Sequence, residues 1–96
     1  MSTSEKTEKR RVRERIREYY KVKEGYNFER FGKYEKINLG GRTGLYIVET
    51  IMIDHRNYAL VTVNRAFVQG IMILNSDQLS RIVKTLIDGL EKEFGN

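Results

Sequence analysis

The sequence predicts an α+β domain: an antiparallel sheet of four to five strands followed by one long C-terminal helix, with a basic N-terminal arm ahead of the sheet. Three observations lead there. Residues 28–74 hold successive β-branched and aromatic runs separated by turn signals. Residues 76–94 carry an apolar stripe at helical spacing. Residues 1–24 hold nine Lys and Arg against five acids, which is +4 of the net charge of +5.

Residues 1–8 are polar and expected to be disordered. Over 9–23, Val12, Ile16, Tyr19 and Tyr20 fall at helical spacing among Arg and Glu, predicting a short amphipathic helix that Gly25 ends. Tyr26, Phe28, Phe31 and Gly32 suggest a short strand or bulge. The run from Lys33 to Leu39 closes at a Gly40-Gly41 turn. The run Leu45–Ile53 is apolar on both faces apart from Glu49 and Thr50, so one face is expected to meet another sheet or chain. Asp54-His55-Arg56-Asn57 reads as the next turn. Tyr58–Val63 and Ala66–Leu74 are further extended runs. Asn64-Arg65 between them is either a hairpin turn or a bulge in one long strand.

Asn75-Ser76-Asp77-Gln78 supplies an N-cap and a capping box. Leu79, Ile82, Val83, Leu86, Ile87, Leu90 and Phe94 then form a four-turn stripe. So much apolar surface either lies lengthwise on the sheet or pairs with a partner helix. Leu79, Ile82, Val83, Leu86 and Leu90 are therefore candidate dimer-interface residues. A chain of 96 residues makes one domain with a marginal core, which also favours oligomerisation.

Composition excludes several classes. With no cysteine there is no disulfide and no Cys-based zinc site. His55 is the single histidine, and no paired carboxylates, metal-ligand spacing or phosphate-binding loop is present. Gly40-Gly41 with Gly44 is a turn and not a nucleotide fingerprint, because no helix follows it. No enzyme, metal or cofactor is expected. No apolar run approaches the roughly 20 residues that span a bilayer, and the N-terminus is charged. A cytoplasmic or nucleoid-associated location, away from the membrane, is the expectation.

The basic arm, residues 1–24, points to a polyanionic partner for the domain at 25–96. Strand parity puts Ile37 and Leu39 on one face, expected to meet the core, and Tyr34, Lys36 and Asn38 on the other, expected to be exposed. A ring, a cation and an amide on one exposed face suit nucleic acid: the ring stacks a base, the cation meets phosphate, the amide bonds a base edge. Arg42, in the Gly-rich turn, could clamp a backbone. Tyr46, Met52, Tyr58 and Phe67 are candidate stacking groups, Tyr46 and Tyr58 foremost.

From about Phe28 to Phe94 the chain resembles the positive cofactor four family of single-stranded-DNA-binding transcriptional coactivators. Phe31-Gly32-Lys33 leading into Ile37-Asn38-Leu39, the strand from Leu45 to Asp54, and Gly70-Ile71 followed by Leu74-Asn75-Ser76-Asp77-Gln78-Leu79-Ser80 carry the resemblance. It implies a homodimer whose helices pack together and whose strongly curved sheets form channels for opposite-running single strands, with no enzymatic activity. Lys33 falls at the family's Gly-Lys step, and Arg65 and Gln69 fall before its Gly-Ile step. The chain departs from the family at Ala66-Phe67-Val68-Gln69, where a richly basic strand is usual, and at Glu35; the basic arm could supply that charge. Single-stranded DNA, with RNA as a second possibility, is the expected ligand, in transcription or strand protection, with the transcription machinery as a further partner. The other reading is a protein-interaction dimer whose arm binds an acidic partner.

Overall fold

The computed structural model describes residues 3–25 and 28–94, with side chains described for 6–23, 25 and 28–89. Tyr26, expected in a strand or bulge, and the side chain of Leu90, expected at an interface, lie outside the described residues.

Helix α1 spans Thr3–Tyr19 and runs on into a π-helical turn, Tyr20–Glu24. Gly25 ends it as expected, in the left-handed region at φ 76°, its N–H reaching Tyr20 O at 2.9 Å. The helix starts well before residue 9 and takes in most of the stretch expected to be disordered. Four strands follow: β1 (Arg30–Gly40), β2 (Thr43–Ile51), β3 (Arg56–Asn64) and β4 (Phe67–Asn75). They form one antiparallel sheet in the order β1-β2-β3-β4. Asn64-Arg65 belongs to a hairpin: β3 runs through Asn64, and Arg65 and Ala66 make the turn at φ 53° and 69°. Helix α2 (Ser76–Phe94) closes the chain. Its capping box is reciprocal, the Gln78 N–H donating to Asn75 Oδ1 at 2.8 Å and the Asn75 N–H to Gln78 Oε1 at 3.0 Å.

Residues directly opposite one another across a ladder share a face. The pairs Tyr34↔Val48, Lys36↔Tyr46, Tyr46↔Val61, Val48↔Ala59, Gly44↔Val63 and Val61↔Ile71 therefore define one face. Helix α1 lies against it. Val12, Ile16 and Tyr20, spaced by four, are fully buried with Tyr46, Val48, Met52, Ala59, Val61 and Val63 in one cluster. Tyr20, Thr50 and Asn57 tie the helix's last turn to the sheet. Asn57 Nδ2 donates to Tyr20 O–H at 3.5 Å, the Tyr20 and Thr50 hydroxyls are 2.8 Å apart, and Thr50 donates to Asn57 O at 3.3 Å.

This inverts the expected faces of β1. Parity holds, but Tyr34, Lys36 and Asn38 are on the helix-covered side, while Ile37 and Leu39 are 44% and 56% exposed on the other. The residues of 1–24 are likewise not set apart from the sheet, since they contribute three of its core side chains. The open face carries Ile37, Leu39, Leu45, Ile47, Tyr58, Leu60 and Met72. Helix α2 does not cover it lengthwise: Ile82, Val83, Leu86 and Ile87 are exposed, and Leu79 alone of the candidate interface residues described is half-buried.

Glu49 sits on the open face and is nevertheless buried. It accepts from the Lys33 backbone N–H at 3.0 Å and from Arg56 Nη1 at 2.7 Å. The register of β1 slips between Phe31 and Tyr34 to allow this, and Gly32 must lack a side chain there because a Cβ would collide with the Glu49 carboxyl. The Lys33 N–H foremost, then Arg56, hold the Glu49 pKa below its ordinary 4.5 against the opposing effect of burial. A carboxyl with a pKa lower in the folded than in the unfolded chain stabilises the fold above the unfolded value and loses that contribution as pH falls through the folded one. Urea midpoints of the wild type should therefore drop as pH is lowered below about 4.5, and Glu49→Gln should start lower at neutral pH and drop less. An unchanged acid-side drop in Glu49→Gln would assign the effect to other carboxyls.

Candidate nucleic-acid interface

The helix-covered face becomes polar toward the N-terminal end of α1. The apolar series Val12, Ile16, Tyr20 is continued one turn earlier by Glu8, whose carboxylate is buried against the sheet. Lys36 Nζ donates to Glu8 Oε1 at 2.8 Å, and the Tyr46 hydroxyl donates to the same oxygen. Burial alone would raise the Glu8 pKa, but these two hydrogen bonds and the charges of Lys36 and Arg11 outweigh it and lower the value. Tyr34 stacks beside Tyr46 with ring centroids 5.1 Å apart. Burial foremost, then Tyr46 and Glu8, push the Tyr34 phenol well above its ordinary value, so it stays protonated.

The flanks of α1 are fastened to the sheet by cations over rings. Lys9 lies 4.5 Å from the Tyr34 ring centre, Arg13 lies 5.0 Å from Phe31 and 5.7 Å from Tyr34, and Arg17 lies 4.9 Å from Phe31. These three are spaced by four along one edge of the helix. On the other edge Arg11 lies 5.4 Å from Phe67 and donates to Ala66 O at 3.2 Å. Part of the arm's positive charge is thus used inside the fold. Lys6, Arg10, Arg15 and Lys21 are exposed.

Two clefts meet at Lys36. The first, about 290 Å3, is lined by Lys36, Asn38, Gly40, Arg42, Arg65 and Glu8, among others. Both hairpin tips build it: the Arg65 N–H bonds Arg42 O at 2.9 Å, and Arg11 reaches across to Ala66. Three guanidinium-bearing residues are therefore anchored at one corner. Arg65 and Ala66 hold a left-handed conformation that side-chain-bearing residues adopt at a cost of about 1–3 kcal/mol. The second cleft, about 310 Å3, is lined by Lys6, Lys9, Tyr34, Lys36 and Tyr46.

Of the residues expected from the sequence, Tyr34, Lys36, Asn38, Arg42, Tyr46 and Arg65 come together here. Tyr46 is 2% exposed, so its ring is a core group with only its hydroxyl engaged in polar contact. Lys33, Tyr58 and Gln69 lie elsewhere. Lys33 is at the bulge opposite Glu49, Tyr58 is on the open face opposite Glu49, and Gln69 is the exposed extra residue where the β3–β4 register slips. Of the other candidate stacking groups, Met52 is buried and Phe67 is exposed beneath Arg11. Sequence reasoning missed Lys6, Glu8, Lys9 and Arg11 as site residues. The signal was present: Glu8 stands four before Val12, but a charged residue in an apolar series reads as its end.

No family model, no curated protein and no solved structure matches the chain. Among the described residues, no helix is long and apolar enough to cross a membrane.

Proposed function

We propose that the protein binds single-stranded nucleic acid, DNA in the first place, as a homodimer assembled through α2, in a transcription-related or strand-protecting role. The observation that carries this reading is the meeting of the two clefts at Lys36. Cations from α1 and both hairpin tips, an amide and tyrosine rings line one continuous corner of a domain whose net charge is +5. The backbone hydrogen bond between Arg65 and Arg42 holds the two hairpin tips together, so their exposed guanidinium groups start from one corner where both can meet phosphate, and the half-buried Tyr34 ring lies beside them. The exposed cations on the outer face of α1 extend the same positive field.

Fluorescence anisotropy with labelled oligonucleotides at several salt concentrations tests it. Single-stranded oligomers should bind more tightly than duplex. The double variant Arg42→Ala/Arg65→Ala should weaken binding to all sequences alike and reduce the salt slope by about 1.4, roughly 0.7 for each lost single-strand phosphate contact. A salt slope equal to that of the wild type would remove the hairpin corner from the interface.

A second reading rests on the open sheet face and the bare stripe of α2. A protein-interaction dimer would need the same apolar surfaces and would show no oligonucleotide binding even at low salt.

A further inference from the structure

We propose that the Glu8 carboxylate occupies, from within the chain, a site for a nucleic-acid backbone phosphate formed by Lys36 and Tyr46, and that the first turns of α1 are a strap which nucleic acid lifts to reach it. The proposal rests on the nucleic-acid-binding reading above.

The underside of α1 has two unlike halves. Val12, Ile16 and Tyr20 are fully buried among apolar side chains and cannot leave without opening the core. Glu8, one turn earlier, is held by the Lys36 ammonium at 2.8 Å and the Tyr46 hydroxyl. An apolar residue at position 8 would continue the core. The pair at Glu8 is only part-buried, with Lys36 open to solvent, so a competing anion can reach it. The contacts that Glu8 makes are therefore ones a competing anion can take over, and the cations beside it, Lys9 and Arg11, are held at the surface, whereas the buried apolar contacts of Val12, Ile16 and Tyr20 admit no such exchange.

The surroundings fit that exchange. A carboxylate oxygen and a phosphate oxygen ask for the same donors, and Lys36 and Tyr46 supply both to one Glu8 oxygen. Lys36 is shared by the two clefts, and Glu8 lines the first of them. A strand running from the Arg42–Arg65 corner past Asn38 toward Lys6, Lys9 and Tyr34 crosses the position Glu8 now fills. Lifting the first turns would place a phosphate on Lys36 and uncover the Tyr34 ring for a base. It would also release Lys9 from Tyr34 to follow the strand.

The test compares Glu8→Gln with Glu14→Gln, an equal charge change on the exposed side of the same helix. The probe is a labelled oligothymidylate of about sixteen nucleotides. Glu8→Gln should bind at least about fivefold more tightly than the wild type, the low end of ordinary coupling between sites. Glu14→Gln should give a smaller gain, and Glu8→Gln on a Lys36→Gln background should give none. In the wild type, adding the oligomer should speed hydrogen exchange at the amides of residues 7–11 and leave those of 16–20 protected. Equal gains from the two Gln variants, or protection of residues 7–11 on binding, would overturn the strap. Binding by Glu8→Gln alone, with none by the wild type, would support it in its strongest form. Absence of binding by both would overturn the nucleic-acid reading and the strap together, whereas wild-type binding with no Glu8 effect would overturn only the strap.

Discussion

Deleting residues 1–24 is expected to abolish cooperative unfolding of the remaining chain, far beyond a change in its charge. The deletion removes Val12, Ile16 and Tyr20 from the nine-residue core cluster and leaves Val48, Ala59, Val61 and Val63 facing water. It also removes the two hydrogen bonds of the Tyr20 hydroxyl, with Thr50 and with Asn57. A graded version is Ile16→Ala, which should cost about 2–5 kcal/mol, a large share of the 5–15 kcal/mol that small domains possess. Thermal melts followed by circular dichroism read both. A truncated chain that melts as sharply as the full one would show that α1 is an attachment to a sheet stable without it. From the sequence alone the opposite result is expected, since a thin stripe amid Arg and Glu reads as a separable arm.

If α2 pairs two subunits as proposed, Leu86→Asp is expected to yield a monomer while leaving the chain folded. Leu86 is 61% exposed and Ile87 is 52% exposed in the single chain, so an aspartate at 86 meets water there and disturbs little. Against the stripe of a second α2 the same carboxylate would be buried without a partner, at a cost of several kcal/mol. The effect should therefore appear in sedimentation and not in the circular dichroism spectrum. A wild type that sediments as a monomer at micromolar concentration would remove α2 as the dimer contact and leave its stripe unexplained by self-association. A protein that loses its secondary structure with Leu86→Asp would show instead that the stripe supports the subunit itself.

The elements of this fold were legible because each depends on neighbours in the chain. The alternation of Lys33–Leu39, the Gly40-Gly41 turn, the apolar run beginning at Leu45 and the Asn75–Gln78 capping box all specify local geometry, and the structure places strands, turn and cap accordingly. Parity also sorted β1 correctly into Tyr34, Lys36 and Asn38 against Ile37 and Leu39. It carried no information on which set would be covered, because a sheet has two faces and the choice belongs to whatever packs on one of them.

That choice was made by α1. Its underside of Val12, Ile16 and Tyr20 matches the face bearing Val48, Ala59, Val61 and Val63. The far more amphipathic α2, the obvious sequence candidate for covering the sheet, leaves its stripe bare instead. The candidate site divides the same way. Lys36 and Asn38 could be named from residue type and strand parity, Arg42 from its turn position, and Arg65 from the family resemblance. Their meeting with Lys6, Glu8 and Lys9 depends on contacts spanning much of the chain, such as Glu8 to Lys36 and Arg11 to Ala66. The sequence by itself determined the order and type of the strands and of the C-terminal helix, since backbone preference and side-chain period are local. Only the tertiary structure decided which face became core and which cations converge, because those follow from the helix that wins the sheet, and no local pattern encodes that competition.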